Sequence, residues 1–190
     1  MKGIAVVILT LVAGAVSGQT ITNFSARDVV SGASFTVNSG SHPKGIVVIF
    51  TSNTCPFDAY YYDRLNKIAA DYSGRIPVVF VNPHPGEDES ADAMKTLAAR
   101  RGFKVPYLAD KDQAVMRALK VTRTPEALVL KPEGGGYSVF YRGAIDDNAQ
   151  VATDVHRQYL TDAIDALLAG GKPSRPVVRP MGCNVRSSGQ

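Results

Sequence analysis

Cys55 sits in Phe50-Thr51-Ser52-Asn53-Thr54-Cys55-Pro56-Phe57, at the point where an apolar run gives way to a polar loop and Pro56 can open a helix. A thiol at a helix N-terminus meets free backbone N–H groups and the positive end of the helix dipole, which favour the thiolate, the nucleophilic form. The Ser52 hydroxyl, three residues earlier, can donate a hydrogen bond to that thiolate, and Thr51 and Thr54 can do the same. Each hydroxyl would serve equally well as a plain helix cap. The chain has 2 cysteines, and the second, Cys183, follows a segment with prolines at 173, 176 and 180. The 13 residues from Gly170 to Cys183 reach about 43 Å when extended, so the thiols can meet. Cys183 is then either a partner that resolves an oxidised Cys55 or half of a structural staple.

Other chemistry finds less support. His42, His84 and His156 have no ligand spacing between them, and two cysteines are too few for a structural zinc, so no metal and no cofactor is expected. Glu87, Asp88 and Glu89 read as a solvated loop. Gly134-Gly135-Gly136 lies in a hairpin and opens no helix, so it is not a phosphate loop. Tyr60, Tyr61 and Tyr62 should divide between core and surface.

The elements that must position Cys55 follow from periodicity. Ile46 to Phe50 suits a strand buried on both faces, and Phe57, Tyr61, Leu65, Ile68, Ala69 and Tyr72 recur at helical spacing before Gly74. Ile76 to Val81 reads as a second strand, closing a strand-helix-strand unit with a parallel pairing. Ser90 can cap a helix through Met94, Leu97 and Ala98 that Gly102 stops, and Asp112 can start a shorter one through Leu119. Ala127 to Leu130 and Tyr137 to Arg142 flank Pro132 to Gly136 as an antiparallel hairpin. A last helix is expected from about Thr153 to Ala169, and beyond it the prolines predict an extended arm without regular structure.

Composition bounds the rest. An apolar fraction of 45% with 20% charged residues in 190 residues fits one folded domain and excludes a fibre or a multi-span membrane protein. Setting aside Lys2, Lys172, Arg175, Arg179 and Arg186 leaves 16 basic against 17 acidic residues, so the net charge of +4 reports a basic tail. Nucleic-acid binding, which needs a basic folded face, is not expected. Met1-Lys2, the apolar run Ile4 to Val16 and Ser17-Gly18 have the form of a secretory signal, so residues 1–18 are read as a signal peptide. No stable membrane insertion is expected once the signal is removed. A secreted or periplasmic protein meets an oxidising compartment, where a disulfide persists.

The order strand, helix, strand, helix, hairpin, helix, with Thr124-Pro125 before the hairpin, resembles the thioredoxin fold. Phe50 to Phe57, Thr124-Pro125, Tyr141-Arg142-Gly143-Ala144-Ile145-Asp146-Asp147-Asn148 and Gly182-Cys183-Asn184-Val185 together resemble secreted peroxiredoxin-like proteins of the alkyl hydroperoxide reductase and thiol-specific antioxidant group. The resemblance implies an α/β thioredoxin-like (redoxin) domain over 19–169, a mixed central sheet flanked by helices, and an arm over 170–190. It places Thr124-Pro125, with a cis bond, against Cys55, and makes Arg123 and Arg142 candidate cationic partners of the thiolate, though either arginine would also serve as an ordinary surface charge. The group commonly carries a C-x-x-C motif whose first position is Ser52 here. The implied function is a thiol oxidoreductase, foremost a peroxidase with Cys55 as nucleophile, Ser52 supporting it, Cys183 resolving, and an external thiol as reductant. The alternatives are disulfide exchange through Cys55 and Cys183, or a non-catalytic binding module with structural cysteines.

Overall fold

The computed structural model describes residues 21, 23–38 and 40–187, so the expected signal peptide lies outside the described residues. The chain runs β1 (Phe24–Asp28), β2 (Ser34–Val37), β3 (Ile46–Phe50), α1 (Pro56–Asp71), β4 (Val78–Asn82), α2 (Ala91–Arg101), β5 (Tyr107–Ala109) and α3 (Ala114–Leu119). It continues through β6 (Arg123–Thr124), β7 (Glu126–Glu133), β8 (Gly136–Gly143), α4 (Tyr159–Leu168), β9 (Val177–Val178) and β10 (Cys183–Asn184). Eight strands form one mixed sheet in the order β2-β1-β5-β4-β3-β7-β8-β9, while β10 pairs with β6 apart from it.

The continuous apolar run of β3 explains its central place. It pairs parallel to β4 on one side and antiparallel to β7 on the other. Ile46, Val48 and Phe50 enter one core with Val79, Val81, Leu128 and Leu130, while Val47 and Ile49 enter the opposite core with Val78, Phe80 and Val129. Helices α1, α2 and α4 cover the second core through Tyr61, Tyr62, Leu65, Met94, Leu97, Leu160 and Ile164; α3 covers the first through Val115 and Leu119. Tyr60 is left exposed while Tyr61 and Tyr62 are buried. Ser90 caps α2 by accepting the Ala93 amide, and Gly102 ends that helix in the left-handed region, which glycine adopts without strain.

Two expectations change at the C-terminal end. The last helix starts at Tyr159, not near Thr153; a single 3₁₀ turn at Ala152–Asp154 precedes it, and Val155 and Gln158 are extended or irregular. The arm is extended but not free of regular structure. Two-residue strands fit between its prolines: β9 joins β8 in parallel register, and β10 joins β6 antiparallel, with Cys183 opposite Thr124. Proline blocks only its own amide, and the ladder bonds are made around it, with Pro176 accepting from the Arg142 amide at 3.0 Å. Both contacts are close. A Cβ on Gly143 would overlap the Val178 carbonyl, and one on Gly182 would overlap the Thr124 carbonyl.

Candidate functional site

Cys55 and Cys183 form a disulfide, with Cα atoms 6.0 Å apart and a sequence separation of 128. Cys55 is the N-cap of α1, and Pro56 fills the first helical position, where a missing N–H costs nothing. The sulfur therefore sits at the N-terminus of α1, whose free first-turn amides and dipole favour a thiolate on reduction. Thr124-Pro125 is a cis bond, and the Thr124 carbonyl oxygen lies 3.5 Å from Cys55 Sγ. In the disulfide that sulfur carries no proton, so this is a contact; only the reduced thiol could donate to the carbonyl.

The loop before Cys55 is anchored by a residue with no distinguishing signal in its sequence neighbourhood. Glu89, expected in a solvated loop, is buried; Glu87 and Asp88 are exposed as expected. Its carboxylate accepts the Ser52 hydroxyl at 2.5 Å, the Thr54 hydroxyl at 2.8 Å, the Asn53 amide at 2.8 Å and Asn82 Nδ2 at 2.6 Å. Burial pushes the carboxyl up, but these bonds, led by Ser52 and Asn82, outweigh it and hold Glu89 below the usual carboxylate range. Ser52 Oγ in turn accepts the Cys55 amide at 3.1 Å and the Thr54 amide at 3.1 Å. Ser52 therefore orients the loop and spends its proton on Glu89, leaving Thr51 as the hydroxyl without a bond among the described residues.

Asp58 is the second residue that sequence reasoning missed. It stands three residues after Cys55 in the first turn of α1, and it is fully buried. Neither carboxyl oxygen has a hydrogen-bond partner among the described residues. Burial holds it well above the usual carboxylate range; the Thr51 and Thr124 hydroxyls and the Ser52 backbone face it and pull it down without closing hydrogen bonds. A fully buried carboxyl without a hydrogen-bond partner favours its neutral form, which does not oppose a thiolate on Cys55. A carboxyl kept protonated by the fold stabilises it at low pH, and that stability drains away as pH rises above the unfolded value. Asp58→Asn, which cannot ionise, should therefore gain on the native protein as pH rises from 4 to 8. The gain should approach about 1.4 kcal/mol per pH unit while the folded carboxyl stays protonated. Urea unfolding across that range measures it, and a pH-independent difference would rule out a buried neutral acid.

The two arginines have other partners. Arg123 Nη1 donates to the Gly182 carbonyl at 2.9 Å and so clamps the arm. Arg142 binds Glu126 through Nη2 at 2.7 Å and the Lys120 carbonyl at 3.0 Å. Behind Thr124, His84 Nε2 lies 3.0 Å from the Thr124 hydroxyl, and burial lowers the imidazole below its ordinary range, so it is neutral. Lys111, lowered to about 8 by burial, donates to the Asn82 and His84 carbonyls. The Val185 amide reaches the Thr122 carbonyl at 2.9 Å, and Gln113 Nε2 reaches the Arg186 carbonyl at 2.6 Å. The arm is thus held from Gly182 to Val185 by the segment that carries the cis bond, and at Arg186 by Gln113.

Among the described residues no group of histidine, cysteine and acidic side chains could hold a metal, and no helix is long and apolar enough to cross a membrane. No protein-family model matches the chain, and no curated protein does. Solved structures do. An uncharacterized conserved protein from Geobacillus kaustophilus matches with a TM-score of 0.82 and 25% identity, over 91% of this chain and 93% of that one. A hypothetical protein from Sinorhizobium meliloti matches at 0.80 and 28%, over 91% and 95%. A secreted Mycobacterium tuberculosis disulfide oxidoreductase homologous to E. coli DsbE matches at 0.55 and 20%, over 75% and 95%. With its strand-helix-strand unit, cis-proline hairpin and closing helix around one mixed sheet, the chain has a thioredoxin-like fold.

Proposed function

We propose that the protein is a thiol-disulfide oxidoreductase in which Cys55 and Cys183 cycle between dithiol and disulfide. The observation that carries this is the bond between them, made by a helix-capping cysteine beside a cis proline and the cysteine of a docked terminal arm. In the forward cycle the Cys55 thiolate attacks a substrate disulfide, forming a mixed disulfide and releasing one substrate thiol. Cys183 then attacks Cys55 Sγ, restoring the internal disulfide and releasing the second thiol. Two electrons leave the protein and reduce the substrate, and an external thiol returns them. The secreted Mycobacterium tuberculosis relative, a disulfide oxidoreductase, supports both the chemistry and an oxidising compartment outside the cytoplasm.

The narrower peroxiredoxin-like reading draws less support. Its candidate cations are engaged elsewhere, Arg123 on Gly182 and Arg142 on Glu126, and the Ser52 hydroxyl is committed to Glu89. The deciding experiment follows reduced protein, freed of reductant, as it re-forms the internal disulfide with equal concentrations of hydrogen peroxide or oxidised glutathione. Faster closure with the disulfide supports exchange. Faster closure with peroxide, together with peroxide turnover, would return the assignment to a peroxidase.

A further inference from the structure

The two sulfurs of the disulfide are not equivalent targets. Cys55 is 4% exposed, covered by the arm and by the Thr124 carbonyl, whereas Cys183 is half-buried on a strand at the edge of a two-stranded ladder. Around Cys183 the arm is open: Met181 is 62% exposed and Asn184 is exposed. A thiolate displaces a disulfide sulfur in line with the S–S bond, so it must reach the side of the attacked sulfur that faces away from its partner. Residue burial favours Cys183 as that target: it is half-buried on the arm, whereas Cys55 is buried at the N-cap of α1.

The leaving group argues the same way. Attack on Cys183 expels Cys55 as a thiolate into the first turn of α1, where free amides receive it and the neutral Asp58 adds no opposing charge. Attack on Cys55 would expel Cys183 from a two-residue strand with no helix terminus to stabilise it. Access and leaving-group stability therefore select one sulfur.

We propose that the reductant enters through Cys183 of the arm and not through the helix-capping Cys55. This rests on the exchange reading above and adds its direction. The reductant thiolate bonds to Cys183 Sγ, the Cys55–Cys183 bond breaks, and its electron pair leaves on Cys55. The mixed disulfide is carried on the arm, which is no longer tied to α1. A second reductant thiolate then attacks the reductant sulfur of that mixed disulfide, producing the oxidised reductant and freeing Cys183, which takes a proton from water. The balance is two thiols oxidised to one disulfide for one protein disulfide reduced. Cys183 thus serves twice, as the sulfur that accepts the reductant and as the thiol that resolves substrate on Cys55.

The test uses oxidised full-length protein mixed with glutathione, quenched at successive times with acid and N-ethylmaleimide, and mapped by mass spectrometry after digestion. At the earliest times glutathione should be found on Cys183 and maleimide on Cys55, with an excess over the opposite arrangement of roughly tenfold or more. Glutathione predominantly or equally on Cys55, extrapolated to zero time, would overturn this inference while leaving the exchange reading intact. A disulfide that resists both glutathione and dithiothreitol until the protein unfolds would overturn the exchange reading, and this inference with it.

Discussion

Cys55→Ser protein is expected to show no disulfide exchange above the uncatalysed background, whereas Cys183→Ser protein should complete one turnover and stop. Serine at 55 keeps the helix cap but cannot form a bond to sulfur. Without Cys183, the Cys55 thiolate still attacks, but the mixed disulfide has no internal thiol to resolve it, since the chain has only 2 cysteines. With an aromatic disulfide that releases a coloured thiol, stopped-flow absorbance should give one equivalent per Cys183→Ser molecule and a stable adduct on Cys55. Continued turnover by Cys183→Ser would mean that an external thiol alone resolves Cys55. A comparable burst from Cys55→Ser would move the nucleophile to Cys183.

The second large effect is on stability. The disulfide closes a loop across 128 residues, and in the chain-entropy account a loop of that length stabilises the folded state by about 5 kcal/mol, against a typical domain total of about 5–15 kcal/mol. Oxidised and reduced protein compared by urea unfolding should differ by roughly 3–5 kcal/mol, a midpoint shift of about 2 M at the slope expected for a small domain. The reduced arm retains its two-residue ladders to β8 and β6, so part of the loss should show first as release of the arm, seen as fast amide exchange at Ala144 and Val185. A difference under about 1 kcal/mol would mean that docking of the arm without the bond already supplies most of its constraint.

The elements that build the site were legible where the pattern was long or strongly punctuated. Ile46 to Phe50 is apolar throughout because both its faces are buried, and α1 and α2 carry proline, serine and glycine at the positions where helices start and stop. The strands without a sequence signal are those whose burial comes from partners. β1 alternates buried and exposed residues over only five positions, β2 buries only Val37 fully, and β5 is three residues long. The prolines of the arm argued against strands, yet two-residue ladders ask for only a few amides and find them between the prolines.

Within the site, Cys55 and Cys183 could be singled out from residue type and position, and the cis Thr124-Pro125 bond from the resemblance. Glu89 and Asp58 could not. A carboxylate is ordinarily a surface residue, and Asp58 in a helix's first turn looks like one that merely favours the dipole. The five groups that satisfy Glu89 come from Ser52, Asn53, Thr54 and Asn82, and their convergence exists only once β3 and β4 lie side by side.

Cys183 also comes after every strand of the eight-stranded sheet in chain order. During N-to-C synthesis its thiol emerges after all of those strands, so bond closure comes after every strand of the sheet has been made. With a single possible intramolecular pairing there is no scrambled isomer to correct, and oxidative maturation needs an oxidant but no isomerase. Until the arm docks, however, Cys55 lacks its internal partner, and on the exchange reading its thiol is open to capture by another disulfide. Docking of the arm therefore acts as a protecting group for the Cys55 thiol.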